Sequence, residues 1–115
     1  MSTKYDPFNT KAQDEAREDA ELRARLARET ERDDIKWLMS SKRGRRIVWR
    51  LLEQAGVFRS SFSPTAMQMA FNEGYRNYGN RTLDLIQEYC LELYPLMLKE
   101  AANDRASNSA TRSTQ

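Results

Sequence analysis

The chain has 115 residues, 39% apolar and 31% charged, with a formal net charge of +2. One domain is the default at that length, and the low apolar content lets only part of the chain supply a core. Histidine is absent and Cys90 is the one cysteine, which excludes an internal disulfide, the common nucleophile–base pairs and most zinc sites, and fits a reducing compartment.

Charge is laid out unevenly. Residues 1–34 carry seven basic and ten acidic side chains, residues 35–62 seven and one, and residues 63–115 five and six. The positive excess therefore sits in the middle of the chain. No run of 18 apolar residues occurs, and no apolar stretch follows a basic N-terminus, so neither a membrane span nor a secretory signal is expected.

Residues 1–10 read as loosely structured. Residues 11–34 contain no Gly or Pro and form helix readily, with Asp19–Arg23 and Glu21–Arg25 spaced to pair at i,i+4. Their apolar face is thin: Ala12, Ala16, Ala20 and Ala24, with Leu22 and Leu26 beside it. Such a helix is either a solvated arm or one that rests on a partner.

Dense apolar sequence begins at Ile35, in the run IKWLM. Ser40 and Ser41 then offer an N-cap for a helix whose core face is Ile47, Val48, Leu51, Leu52 and Ala55. Gly56 suits the left-handed residue after its end, with Val57 closing the apolar contact. Beyond a short loop, Ser63-Pro64 reads as the next helix start, with Phe62 and Met67 at the hydrophobic-staple positions. From Met67 through Ala70, Phe71, Gly74, Tyr75, Tyr78, Thr82, Leu85, Ile86 and Tyr89 to Leu93, apolar and small residues recur in steps of three and four. That continuity predicts one helix over about 64–93, the alternative being a break near Gly79-Asn80. Pro95 should end or kink it, with a short helix at about 95–103 after it. The polar segment 103–115 has little to bury and is expected to be disordered. The expected architecture is all-α: a bundle of three or four core helices over 35–102, a charged helical arm over 1–34 and a polar tail.

Two constellations stand out. Arg43, Arg46 and Arg50 share one flank of the second helix, and Arg45 precedes Trp49 by four, in reach of stacking on it. The planar guanidinium fork binds phosphate or carboxylate, so this stripe suits nucleic acid or an acidic protein surface; a solvated helix face, partly neutralised by the acidic arm, has the same appearance. Trp49 reads equally as a half-buried ring or an interface anchor. The second constellation is Phe71, Gly74, Arg76, Asn77 and Gly79. Two glycines inside a helix cost roughly 1 kcal/mol each against alanine. Close helix crossing would offset that, with Trp37 or Phe58 approaching the bare Cα atoms and Glu73, Arg76, Asn77 and Arg81 forming a polar belt. Asp84, Glu88 and Glu92 repeat at i,i+4 and read as a solvated face, not as carboxylates held in different environments for catalysis. Cys90 lies within an apolar face and reads as core. Neither an enzyme, a metal site nor a cofactor is expected.

The elements Trp37-Leu38-Met39, Gly44-Arg45-Arg46, LLEQAGVFRSSF, Phe-x-Glu-Gly-x-Arg-Asn-x-Gly at 71–79 and the later Met-Leu-Lys-Glu together carry a resemblance. Over residues 33–100 the chain resembles the small proteins encoded among the head and portal genes of short-tailed phages, typified by a protein of a Bordetella phage. The resemblance implies a role in the virion or its assembly, near head, portal or tail. From that role the chain is expected to bind other virion proteins in several copies, with itself as a homo-oligomer among the expected partners, after synthesis in the host cytoplasm. It supplies no catalytic residues. DNA contact through the arginine stripe remains the alternative, and no membrane association is implied.

Overall fold

The structure is a computed structural model that describes residues 8–113, and the regular structure of those residues is entirely helical. The expectations for residues 1–7 and for residues 114–115 of the tail lie outside the described residues. Four helices follow in order: α1 Thr10–Met39, α2 Lys42–Ala55, α3 Ala66–Cys90 and α4 Leu93–Ser113. Two units are distinguished, Met1–Asp33 and Asp34–Gln115.

In the first unit, Asn9 starts α1: its Oδ1 accepts the Ala12 N–H at 3.1 Å, satisfying one of the amides that a helix start leaves free. The arm is helical as expected, and every described residue of it is exposed, Leu22 and Leu26 included. Among its described residues the expected Asp19–Arg23 and Glu21–Arg25 pairs do not form, whereas Arg17 pairs with Asp14 and Arg32 with Asp33. All four of those side chains stand in water, where an ion pair contributes little.

The second unit holds the core. Met39 from the end of α1, Val48 and Leu52 from α2, Ile86 and Cys90 from α3 and Met97 from α4 are buried together, with Ile35, Leu38, Trp49, Val57, Leu83, Leu93 and Tyr94 packed around them. The α2 boundaries follow the sequence signals. Ser41 Oγ accepts the Gly44 N–H at 3.0 Å at one end. At the other, Gly56 takes the left-handed conformation at φ 78°. The Gly56 N–H then donates to Glu53 O at 3.1 Å and the Val57 N–H to Leu52 O at 3.2 Å, closing the helix end with two bonds. The core face of α2 is rotated from the expected one. Gly44, Val48 and Leu52 face inward at steps of four, while Ile47 and Leu51 are exposed.

Helix α3 is one element through Gly74 and Gly79, without the alternative break. It starts later than expected. Thr65 is the cap residue and makes no capping side-chain bond, while Ser63 Oγ accepts the Thr65 N–H at 3.3 Å inside the preceding turn. Phe62 and Met67 are both exposed and form no staple. The break expected at Pro95 falls instead at Leu91-Glu92. Pro95 sits in the first turn of α4, where its missing N–H would have no helical partner in any case. The Tyr94 N–H turns back to Leu91 O at 3.2 Å across that junction. Helix α4 runs to Ser113, well past the expected end near 103, so most of the segment expected to be irregular is helical. After Pro95 it contains no glycine or proline, and from Arg105 to Thr111 its residues are exposed.

Candidate interaction surfaces

The arginine stripe is divided by the fold. Arg45 is turned inward between three helices. Its Nε and Nη2 donate to the two carboxylate oxygens of Glu100 on α4, and its Nη1 donates to Met39 O at 2.8 Å. That carbonyl ends α1, where a cation meets both a free acceptor and the negative end of the helix dipole. Arg45 therefore joins α1, α2 and α4; it does not stack on Trp49 and is not offered to a partner. Trp49 is half-buried and stacks on Phe58, with centroids 4.9 Å apart and planes at 23°. Arg46 and Lys42 each approach Asp104 at 3.8 Å. Arg43 and Arg50 are exposed, and among the described residues neither makes an ion pair.

Between α2 and α4, Lys42, Arg45, Arg46, Trp49, Arg50 and Arg105 line an open cleft of about 530 Å³, from which Arg43 is absent. Glu53, Glu100 and Asp104 line it too, so much of the positive charge is met from within. The expected stripe of free cations is thus reduced to Arg43 and Arg50, with Arg105 added from α4.

The glycines divide in the same way. At Gly79 a Cβ would lie 2.5 Å from Val57 Cγ2 and 2.7 Å from Ala55 Cβ, so the end of α2 crosses α3 where only glycine leaves room. Close packing was expected there, but Val57 and Ala55 supply it rather than Trp37 or Phe58. Gly74 departs from the expectation altogether: nothing lies within 4 Å of an added Cβ. Phe71 and Asn77 are exposed as well. Gly44 is a close-packing position that the sequence reading did not single out. A Cβ there would lie 1.7 Å from Leu38 O, so the α1–α2 junction depends on it. The available signal was a glycine three residues after a serine cap, well inside a helix that would otherwise prefer alanine.

Half of the expected polar belt forms, and it anchors the loop before α3. Ser61 Oγ donates to Glu73 Oε2 at 2.6 Å, Arg76 Nη1 to Glu73 Oε1 at 3.1 Å, and Asn72 Nδ2 to Ser61 O at 3.4 Å. The Ser61 and Arg76 hydrogen bonds hold the Glu73 carboxyl below its usual range. Arg76 Nε is buried without a hydrogen-bond partner. Asn77 and Arg81 stand out to solvent.

Above this belt the first half of α3 presents an uncovered apolar surface. Ala70, Phe71, Gly74, Tyr75 and Tyr78 line a groove of about 420 Å³, and Phe71 meets Tyr75 edge-on at 4.8 Å. Met67 continues the same face one turn earlier. On a helix these positions centre about 110° from the buried line Gly79, Ile86 and Cys90, spread from about 40° at Tyr75 to about 180° at Ala70. The stripe of apolar and small residues that marks the helix in the sequence is therefore, in this half, surface.

Among the described residues no group of three or more His, Cys, Asp or Glu side chains is placed to hold a metal ion, and no helix is long and apolar enough to cross a membrane. Comparison with curated proteins and with solved structures finds no match. A family model described as Bbp19-like phage protein matches residues 35–99, the stretch that contains the core, both junction glycines and the aromatic face. The chain belongs to the Bbp19-like phage protein family.

Proposed function

We propose that the chain is a non-enzymatic structural or assembly protein of the phage virion, present in several copies near the head, portal or tail and acting by binding other virion proteins. The supporting observation is the face of Met67, Phe71, Tyr75 and Tyr78, where four large exposed side chains lie together along one helix beside a groove of about 420 Å³; Trp37, Leu51, Phe62 and Leu91 are exposed elsewhere in the module. A contiguous apolar patch with polar neighbours is characteristic of a contact surface, because water solvates it poorly and a partner removes it. Aromatic side chains are also the residues that carry most of the binding energy at protein interfaces. Mass spectrometry of purified particles, with copy number estimated, tests the reading. Detection at a constant, multiple copy number is expected; absence from purified particles would sink it.

DNA contact is the second reading, and it rests on the exposed Arg43, Arg50 and Arg105. Phosphate binding must weaken steeply as salt rises. Binding to duplex DNA that is absent at low ionic strength, or indifferent to salt and to Arg43→Ala with Arg50→Ala, removes this alternative.

A further inference from the structure

Gly74 has no reason to be glycine within its own fold. It lies in the middle of α3 without a positive φ, and no neighbour would meet a side chain there. Glycine is among the poorest helix formers. Gly79, by contrast, is accounted for by Val57 and Ala55. What Gly74 does provide is a bare Cα on the floor of the aromatic groove, with Phe71 three residues before it, Tyr75 next to it and Tyr78 four after. A bare Cα on an exposed helix face lets a ridge of another helix approach closely.

We propose that the occupant of this groove is the same face of a second copy of the chain, the two α3 helices pairing antiparallel about a two-fold axis at Gly74. The proposal rests on reading the face as a contact surface and names its partner. Three observations favour a second copy over an unlike protein. First, the face is self-complementary about Gly74. Reversal around that position sets each Tyr78 against Ala70 of the other copy, so that a ring faces a small residue on both sides, and it brings Tyr75 beside the other Gly74. Second, Met67, Ala70, Phe71, Gly74, Tyr75 and Tyr78 carry no charge, and Arg81, seven residues after Gly74 on the same line, falls against Met67 of the other copy and roughly 21 Å from its own symmetry mate, so the contact brings no like charges together across the axis. Third, the area suffices. With about 200 Å² for a large aromatic side chain, exposures of 59% for Phe71, 56% for Tyr75, 72% for Tyr78 and 82% for Met67 leave roughly 500 Å² on each copy. Complete burial of these four side chains in a pair would remove at most roughly 1,000 Å², the lower edge of a specific interface, which corresponds to a weak, reversible dimer. A two-fold pair is also the commonest form of self-association.

Sedimentation velocity on the full chain, from low micromolar to several hundred micromolar, tests the proposal. A reversible monomer–dimer shift is expected, and Tyr78→Glu should raise the dissociation constant at least tenfold while leaving the helical circular dichroism and the melting midpoint of the monomer in place. A monomer at every concentration, or a dimer that Tyr78→Glu leaves intact, overturns it. On a Cys90→Ala background, Gly74→Cys should cross-link the dimer under mild oxidant far faster than Arg81→Cys, whose two copies lie on opposite sides of the axis. The reverse order overturns the placement of the axis. These outcomes are separate from the virion test: a monomeric chain found in particles removes the self-pairing alone, and a dimeric chain absent from particles removes the virion role alone.

Discussion

In the second half of α3, Gly79, Ile86 and Cys90 are buried, met by the end of α2 and by the other core helices. In the first half, Met67, Phe71, Gly74, Tyr75 and Tyr78 have the same mixture of apolar and small residues at helical spacing, and they face outward. What differs is the neighbour. The chain leaves α2 at Gly56 and passes Gly79 at Val57, and upstream of that crossing α3 is approached by the 58–65 loop on its polar flank, through Ser61, Asn72 and Glu73. A helical apolar stripe records that something is to be covered; it does not say whether the cover lies in the same chain.

The contrast can be broken most directly by truncation. Ile86→Ala should destabilise the chain by about 2–5 kcal/mol, since it empties a fully packed position. Phe71→Ala should stay within about 0.5 kcal/mol in the monomer, as surface changes do. Urea unfolding midpoints at low protein concentration measure both, and equal losses would mean that the two halves are not different. Glycine replacement sharpens the same point through sign. Gly79→Ala forces Val57 and Ala55 apart, and the overpacking of about 1–3 kcal/mol exceeds the helix-propensity gain. Gly74→Ala meets nothing and should stabilise the monomer by about 0.5–1 kcal/mol.

Each half also has its own pH limit. Burial pushes the Cys90 thiol up, Glu92 adds to the rise and Lys36 opposes it. A pKa raised above its unfolded value gives stability that is complete below the unfolded pKa and lost as pH rises through the folded one. The C-terminal half should therefore loosen in alkali, with Cys90 alkylated slowly in the native chain at neutral pH and rapidly in urea. Glu73 has the opposite sign. Its lowered pKa gives stability that is present above the unfolded value and lost as pH falls through the folded one. The smallest expected effect is accordingly an acid-induced loosening of the Ser61 region below the ordinary carboxylate range, read by amide exchange and absent in Glu73→Gln.

Local chemistry was legible in the residues. The absence of glycine and proline in the arm, Ser41 at the start of α2 and Gly56 at its end specify those elements through hydrogen bonds that reach no farther than the next turn. The all-helical class, the uninterrupted course of α3 through Gly79 and the burial of Cys90 followed from periodicity. Signals that two places could satisfy were decided elsewhere. Pro95 fits either past a helix end or in a first turn, and the fold uses the second. Arg45 could stack on Trp49 or find a carboxylate; Glu100, fifty-five residues away, takes it, because a mostly buried guanidinium is held best by a bidentate acceptor. The sequence by itself determined that this protein is helical, both ends of α2 and the approximate starts of the other helices, and that it belongs with small phage proteins. Only the tertiary structure decided which face of each helix is core, because burial is a property of the neighbours that other parts of the chain supply, and above Gly79 on the aromatic side they supply none.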